Sequence, residues 1–259
     1  MRIALGIEYD GARFSGWQCQ VGQRTVQASV ESAVASVADH PVTIITAGRT
    51  DTGVHANCQV VHFDTSALRT PYQWLRGVNT KLPDDVSLLW VKEVTADFHA
   101  RFSALKRSYR YIILNRRVPS ALLRSKVCWD HRELDVDAMR TAAFALVGEH
   151  DFTSFRAAGC QAKSPVRSLS QLTIGESSNW IWFDMAANAF LQHMVRNIVG
   201  TLTTVGAGDR PEHWLAQVLA ARDRIQAGAT APPGGLYLTS ITYPENYALP
   251  THTEPTRYW

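Results

Sequence analysis

Hydrophobic and polar residues alternate at the start of the chain. Ile3, Leu5 and Ile7 lie two residues apart, which is the spacing of a β-strand. After a polar loop, apolar residues recur at helical spacing from Thr25 until Pro41. Thr25 has the side chain of a good N-cap, and Pro41 cannot continue a helix. The pattern therefore predicts a strand, a loop and a capped helix.

The remaining apolar segments continue this series. The first half also carries predicted strands at 42–46, 59–63 and 86–94 and a helix that starts at Pro71. The second half has predicted strands at 108–114, 169–174, 180–186 and 236–243 and helices at 136–147, 191–205 and 211–221. The order strand, helix, strand, strand, helix, strand is that of a ferredoxin-like unit, and the second half repeats it with longer pieces.

These elements define a fold class and a division into domains. We predict an α+β protein with two tandem ferredoxin-like βαββαβ units, whose antiparallel sheets meet at a central cleft. The N-terminal domain spans residues 1–103 and the C-terminal domain spans residues 104–259. Clefts between domains favour ligand sites, so we expect the functional site there.

Composition narrows the class of protein. The 259 residues are 46% hydrophobic, enough for a sizeable core. No apolar run approaches the roughly 20 residues of a membrane helix, and the first ten residues do not have the plan of a signal peptide. The four cysteines and nine histidines form no metal-binding motif. We predict a soluble, cytoplasmic protein that does not enter a membrane and holds no metal.

Basic residues are concentrated in one segment. Residues 99–126 contain eight lysines and arginines and no acidic residue, interleaved with Phe102, Tyr109 and Tyr111. Arginines among aromatic rings suit phosphate contacts and base stacking. A solvated strand face with counter-charges elsewhere explains the same segment equally well.

The stretch AGRTDTGVHA, residues 47–56, follows the second predicted strand and places charges between glycines. Arg49 and Asp51 are two residues apart, so in an extended backbone they point to the same side. A neighbouring arginine favours the charged form of a carboxylate. Gly48 and Gly53 permit unusual backbone conformations or the close approach of a ligand. Taken alone, the motif fits a structural turn and an active site about equally.

AGRTDTGVHA resembles the signature of the TruA family of tRNA pseudouridine synthases. Further blocks resemble that family in the same order: EYDG and GWQ within 8–18, GVN at 77–79, DFHARFSA at 97–104, YRYII at 109–113, DFTSFRA at 151–157, ANAFLQHMVRNIVG at 187–200 and GLYL at 235–238. The blocks cover nearly the whole chain. A metal-independent hydrolase with Asp51 as nucleophile and a non-catalytic RNA-binding module are the rival hypotheses, and neither explains why Arg-Thr-Asp lies between glycines.

The resemblance implies a reaction and a catalytic residue. The reaction is the isomerisation of uridine to pseudouridine at positions 38, 39 and 40 of the anticodon stem-loop of tRNA, without a cofactor or a metal. A paired base has to be flipped out of its stem to be reached. Asp51 is then the essential carboxylate, which either adds to carbon 6 of uracil or acts at the ribose.

The resemblance also implies roles for other residues and an assembly. Tyr109 would stack on the uracil and take part in proton removal, and Leu236 would line an apolar pocket. We expect Arg196 to pair with Asp51 and Arg49 to hold the flipped nucleotide or its phosphate. The candidate phosphate-binding residues are Arg24, Arg101, Lys106, Arg107, Arg110, Lys163 and Arg167. The family is homodimeric, so we expect one tRNA to contact two subunits.

Overall fold

The computed structural model of the protein describes residues 1–251 and 256–259. Its contacts divide the chain into two compact units. The first unit contains Met1–Lys106 and Tyr237–Thr256, and the second contains Arg107–Leu236 and Arg257–Trp259. Each unit therefore draws on two segments of the chain. The sequence predicts two domains with a single boundary between residues 103 and 104, and this division into domains stays a prediction.

The chain forms ten strands and five helices within the described residues. In chain order these are β1 (Arg2–Tyr9), α1 (Val26–Ala38), β2 (Ile45–Thr46), β3 (His55–Asp64), α2 (Pro71–Asn79), β4 (Val86–Val94), β5 (Lys106–Asn115), β6 (Cys128–Asp130), α3 (Val136–Ala143), β7 (Gly148–Asp151), β8 (Val166–Ser177), β9 (Trp180–Ala187), α4 (Met194–Gly206), α5 (Trp214–Ala221) and β10 (Leu236–Thr242). The α+β class and the order of elements in the first half are as predicted.

In the first unit, β1 is the central strand of an antiparallel sheet. It pairs with β3 on one side and with β4 on the other, and β2 pairs with the far edge of β3. Near the end of the chain β10 lies parallel to β3, with Tyr237 opposite His55 and Leu238 opposite Ala56. The sequence did not predict this parallel pair, because two paired residues leave no periodic pattern.

Both helices of the first unit begin after a threonine cap: Thr25 is the predicted cap of α1, and α2 begins at the predicted Pro71. The Thr25 hydroxyl accepts a hydrogen bond from the Ala28 N–H at the start of α1. Thr70 and Gln73 form a reciprocal capping box at the start of α2. The ring of Trp74 in α2 is buried edge-on against Phe63, with centroids 5.4 Å apart. The stretch TPYQW therefore caps and anchors α2.

The second unit has a sheet in the order β5, β9, β8, β7, with every neighbouring pair antiparallel. The short strand β6 adds to β5 in parallel. Helix α3 packs against α4 and β8. Helix α4 is almost entirely buried on the side that carries Ile198 and Leu202, which are both 0% exposed. Helix α4 also carries Arg196.

Several element boundaries differ from the predictions. The strand predicted at 42–46 is reduced to β2, because the Ile44 N–H donates to the Glu31 carboxylate in α1 instead of to a strand. The helix predicted from residue 191 begins only at Met194, since His193 adopts a left-handed conformation. The strands β6 and β7 were not predicted, and β7 has the polar sequence GEHD, without alternation.

Helices long and apolar enough to cross a membrane do not occur in the part of the chain that the structure describes.

Candidate active site

The loop that carries Asp51 joins β2 to β3 and spans residues 47–54; we call it the aspartate loop. At its start the Ala47 N–H donates to the Val60 carbonyl oxygen at 2.9 Å. At its end the Val54 N–H donates to the Asp51 carbonyl oxygen at 3.1 Å, which closes a tight turn. Gly53 lies in this turn with φ 78°, a conformation that favours glycine. Asp51 is therefore the first residue of a turn, half-exposed to solvent.

The residue before Asp51 fixes the loop from the inside. Thr50 is buried, and its hydroxyl is hydrogen-bonded to the Tyr9 hydroxyl at 2.7 Å. Burial raises the pKa of the Tyr9 phenol, so the phenol is neutral and can donate this bond. Since Thr50 points inward, Arg49 is exposed and Asp51 half-exposed on either side of it.

A second loop, residues 10–18, packs beneath the aspartate loop. Its main chain bonds to the main chain of that loop: the Trp17 N–H donates to the Thr50 carbonyl at 3.0 Å and the Phe14 carbonyl accepts from the Gly53 N–H at 3.3 Å. Phe14 and Trp17 are 2% and 1% exposed. These two rings therefore anchor the loop, whereas the side chain of Arg13 is exposed.

Glycines allow the two loops to approach each other so closely. A Cβ atom added at Gly11 would lie 1.9 Å from the Val54 carbonyl oxygen. One added at Gly16, which has φ 83°, would lie 2.8 Å from the Thr50 carbonyl oxygen. Both contacts are with main-chain atoms, which cannot rotate away. The glycines of EYDG and GWQ are thus required by packing beside Asp51.

His55 and Gln59 hold the far side of the aspartate loop. The His55 ring is buried and stacks on Tyr237 at 4.7 Å, while its Nδ1 lies 3.1 Å from the Gly11 N–H. The Gln59 amide donates to the Gly48 carbonyl oxygen at 2.6 Å. These contacts give His55 a structural role.

Arg49 does not hold Asp51 in place. Among residues 1–251 and 256–259, no hydrogen bond or ion pair joins Arg49 to another side chain. Its exposed guanidinium extends from the loop two residues before Asp51. The geometry therefore leaves Arg49 available for a ligand.

The structure distinguishes two tyrosines of β5 that face the same way. Tyr111 is 0% exposed and donates its hydroxyl to the Pro232 carbonyl oxygen at 2.7 Å. Tyr109 is 9% exposed and packs edge-on against Phe190, with centroids 5.1 Å apart. The Tyr111 hydroxyl thus serves the fold of the second unit, whereas Tyr109 lies nearer the surface. Leu236, the first residue of β10, is buried at 5% exposure.

Arg196 lies in the first turn of α4 and is half-buried. Its Nε donates to the Ala231 carbonyl oxygen at 2.8 Å. The neighbours Met194, Val195 and Ile198 are all buried. One nitrogen of the Arg196 guanidinium is thus held by the fold.

Three of the candidate phosphate-binding arginines are engaged by the protein. The Arg24 guanidinium binds both Asp85 oxygens, at 2.7 and 2.8 Å, and this bond lowers the pKa of Asp85. Arg110 binds both oxygens of Asp184 at 2.7 Å. Arg107 is buried and donates to the Asn188 carbonyl at 2.8 Å. A basic residue in the sequence pattern is therefore not always a free cation.

The other four candidates differ in exposure. Arg101 and Lys163 are exposed, and Lys106 is half-buried. Arg167 is half-buried and donates to the carbonyl oxygens of Ser164 and Val166, and burial lowers the pKa of its guanidinium. No clusters of three or more His, Cys, Asp or Glu side chains that could hold a metal ion occur in the described ranges.

Comparison with known proteins identifies the family of the chain. The family described as tRNA pseudouridine synthase matches residues 6–103 and 142–244. A protein of Nitrosococcus oceani named tRNA pseudouridine synthase A is 53% identical over 259 residues and covers 100% of both chains. A protein of the same name from Alcanivorax borkumensis is 56% identical over 250 residues, which cover 96% of this chain and 94% of the relative. One from Methylococcus capsulatus is 55% identical over 249 residues, with 96% and 92% covered.

A solved structure described as a crystal structure of a Cbf5-Nop10-Gar1 complex covers 89% of this chain and 56% of its own. It has 10% sequence identity and a TM-score of 0.34, too low to support an argument. The family match and the relatives are sufficient to assign the chain to a family. They define the class as an isomerase that forms pseudouridine in RNA. The chain belongs to the tRNA pseudouridine synthase family, and its substrate is tRNA.

Proposed function

We propose that the enzyme isomerises uridine to pseudouridine at positions 38, 39 and 40 of the anticodon stem-loop, with Asp51 as the essential carboxylate. The observation that carries this proposal is the placement of Asp51. It begins a tight turn whose inner side is fixed by Thr50, Gly16 and Gly53, while its own side chain stays half-exposed. Catalysis by proximity and orientation requires a carboxylate that the substrate can reach and a rigid main chain that holds it in position.

The chemistry breaks one bond and forms another within a single nucleotide. The bond from the ribose anomeric carbon to uracil nitrogen 1 is broken, the base turns, and the same carbon bonds to uracil carbon 5. Carbon 5 then loses its proton and nitrogen 1 gains one, so the product is an isomer of the substrate. Asp51 either adds to uracil carbon 6 or acts at the ribose, by attack on the anomeric carbon or by removal of the 2′ proton. Both routes need an ionised carboxylate and a uridine flipped out of its stem.

Two arginines have separate parts in this proposal. Arg196 pairs with Asp51 and keeps it ionised, and Arg49 holds the flipped nucleotide or its phosphate. Support for the first role is that the Arg196 guanidinium is oriented by the bond from its Nε to the Ala231 carbonyl oxygen. The second role is supported by the exposure of Arg49 and by the lack of an ion pair to it within the described ranges.

Tyr109 and Leu236 complete the pocket for uracil. Tyr109 stacks on the base and takes part in proton removal from carbon 5, and Leu236 supplies an apolar wall. Tyr109 is favoured over Tyr111 because Tyr109 lies nearer the surface, at 9% exposure against 0% for Tyr111. No cofactor enters the reaction.

A broad surface binds the remainder of the tRNA. Of the seven candidate residues, the exposed Arg101 and Lys163 are the best placed to meet phosphates directly. The arginines at positions 24, 107 and 110 contribute to tRNA binding by stabilising the surface, through their bonds to Asp85, Asn188 and Asp184. The enzyme works in the cytoplasm as a homodimer that grips one tRNA with both subunits. Gel filtration at low protein concentration tests the dimer, and elution only as a monomer would contradict it.

The central test follows tritium released from carbon 5 of uracil in unmodified tRNA. We expect release by the wild type, none by Asp51→Asn, and tRNA binding by both. Asp84→Asn is a matched control, since Asp84 is exposed and forms no hydrogen bond or ion pair among the described residues; it should release tritium normally.

Each other outcome points to a different function. Equal release by the wild type and Asp51→Asn would remove Asp51 from the reaction. Binding without release by any of the proteins would favour an RNA-binding module. Release from tRNA that lacks uridine at positions 38, 39 and 40 would contradict the proposed sites.

A further inference from the structure

Arg196 is held by one residue of a distant segment at two points. The Arg196 carbonyl oxygen accepts from the Ala231 N–H at 3.1 Å, and the Arg196 Nε donates to the Ala231 carbonyl oxygen at 2.8 Å. Ala231 ends a segment, residues 224–231, that runs along α4; we call it the strap. Because both bonds end on Ala231, the direction of the Arg196 guanidinium depends on where the strap lies.

Side chains of α4 and of the strap itself fix the strap in place. The Thr230 hydroxyl donates to Asn197 Oδ1 at 2.7 Å. Arg224 donates from one nitrogen to the Thr230 hydroxyl at 3.0 Å and to Asn197 Oδ1 at 3.2 Å. The Gly228 N–H donates to the Thr201 hydroxyl at 3.1 Å. Three strap residues thus meet two side chains that lie one and five positions after Arg196.

Asn197 is the centre of this network. It is 0% exposed, and its Nδ2 donates to the Phe155 carbonyl oxygen at 2.8 Å, so both ends of its amide are bonded. The Thr201 hydroxyl, also buried, donates to the Asn197 carbonyl oxygen at 2.7 Å. A buried polar group that loses its partner costs about 1–3 kcal/mol. The network therefore has one favoured arrangement, which extends from Phe155 to the strap.

We propose that the hydrogen-bonded group of Asn197, Thr230 and Arg224 positions Arg196 for the reaction. Thr230 is the key member because it directly precedes Ala231. Its hydroxyl accepts a hydrogen bond from Arg224 and donates one to Asn197. Thr230 acts through Arg196 and is a positioning residue. This inference rests on the proposed role of Arg196 at Asp51.

The test removes the Thr230 hydroxyl and keeps the size of the side chain. Thr230→Val should lower kcat for pseudouridine formation by roughly tenfold or more, because displacement by about 1 Å can cost a hundredfold in rate. The Kd for tRNA should change less than about twofold, since only an interaction at the reacting nucleotide is lost. Thr230→Ser keeps the hydroxyl and should restore kcat.

Thr203→Val is the matched control. Thr203 lies in the same helix and its hydroxyl donates only to the Gly200 carbonyl oxygen of the preceding turn. It should keep the wild-type kcat. Arg224→Lys is a second probe in case Thr230→Val folds poorly: lysine keeps the charge but loses the planar fork, so kcat should fall with little loss in melting temperature.

The decisive measurement combines two substitutions. If Thr230 acts through Arg196, Thr230→Val should cause no further loss of kcat in an Arg196→Lys background. The inference would be overturned if the losses of kcat from Thr230→Val and Arg196→Lys multiplied in the double variant. It would also be overturned if Thr230→Val and Arg224→Lys both kept the wild-type kcat. Failure of the proposed function is distinct: in that case the wild type releases no tritium, or Arg196→Lys alone leaves turnover unchanged.

Discussion

The aspartate loop and the first turns of α4 each hold a proposed site residue rigid, but by different means. The aspartate loop is held mainly through main-chain atoms: the carbonyl of Thr50 and the N–H of Gly53 bond to the main chain of residues 10–18. Helix α4 is held to its strap largely by side chains, with Asn197 and Thr201 supplying the polar groups. Glycines at the points of closest approach are common to both regions.

This difference determines which substitutions damage each region. Main-chain hydrogen bonds survive the removal of a side chain, so the aspartate loop is disrupted mainly by atoms that are added. The strap is disrupted either by an added atom or by the removal of one hydroxyl. The predictions below use this contrast, from the largest expected effect to the smallest.

Gly200→Ala should have the largest effect. A Cβ at Gly200 would lie 1.8 Å from the Ala229 carbonyl oxygen and 3.2 Å from the Ala231 nitrogen, so the strap would have to move. Alanine is favoured over glycine in a helix by about 1 kcal/mol, but overpacking against main chain outweighs this. We expect the free energy of unfolding to fall by about 3 kcal/mol in chemical denaturation. The kcat should fall as well.

Gly206→Ala is the control in the same helix. A Cβ at Gly206 would lie 2.8 Å from the Sδ atom of Met139, whose flexible side chain can rotate away. The loss of stability should be below about 1 kcal/mol. An equal loss in the two variants would contradict the idea that contact with the strap is the cause.

Much of the fold follows from local patterns in the sequence. Thr25 and Thr70 mark the starts of α1 and α2 because a capping side chain acts within three residues. Strand β4 has the predicted bounds, 86–94, and β1 contains the alternating residues Ile3, Leu5 and Ile7. The parallel pairing of β10 with β3 has no such signal, since it depends on residues about 180 positions apart in the chain.

The candidate site shows the same limit. The motif around Asp51 could be singled out from its glycines and charges, and family resemblance gave it a role. The need for glycine at positions 11 and 16 could not be foreseen. At each position a Cβ atom would clash with a main-chain carbonyl oxygen more than 30 residues away in the chain. The ion pairs of Arg24 with Asp85 and of Arg110 with Asp184 could not be foreseen either, because each joins residues more than 60 positions apart.

Gly16→Ala is expected to have the second largest effect. Its φ of 83° is unfavourable for alanine, and its Cβ would lie 2.8 Å from the Thr50 carbonyl oxygen. Strain of this kind costs about 1–3 kcal/mol, and a shift of Asp51 should lower kcat by roughly tenfold or more. Single-turnover kinetics with saturating enzyme would measure the chemical step directly.

Gly22→Ala separates strain from contact. Gly22 has a similar φ of 73°, but a Cβ there meets nothing within 4 Å. It should lose about 1 kcal/mol of stability from backbone strain and keep its kcat. If Gly22→Ala and Gly16→Ala lower kcat equally, the close approach of the two loops is not what positions Asp51.

Of the three substitutions that test the comparison, Gly200→Ala, Gly16→Ala and Tyr9→Phe, the last should have the smallest effect, because it removes one side-chain bond of the aspartate loop. The Thr50 hydroxyl would lose its 2.7 Å partner in a buried place, which costs about 1–2 kcal/mol of unfolding free energy. The main-chain bonds of the loop remain, so kcat should fall less than about threefold. In a double-mutant cycle, Thr50→Val should cost less in the Tyr9→Phe background than in the wild type, since neither hydroxyl is then left unpaired. A loss of kcat as large as that of Gly16→Ala would show that side chains, and not the main chain, hold Asp51 in position.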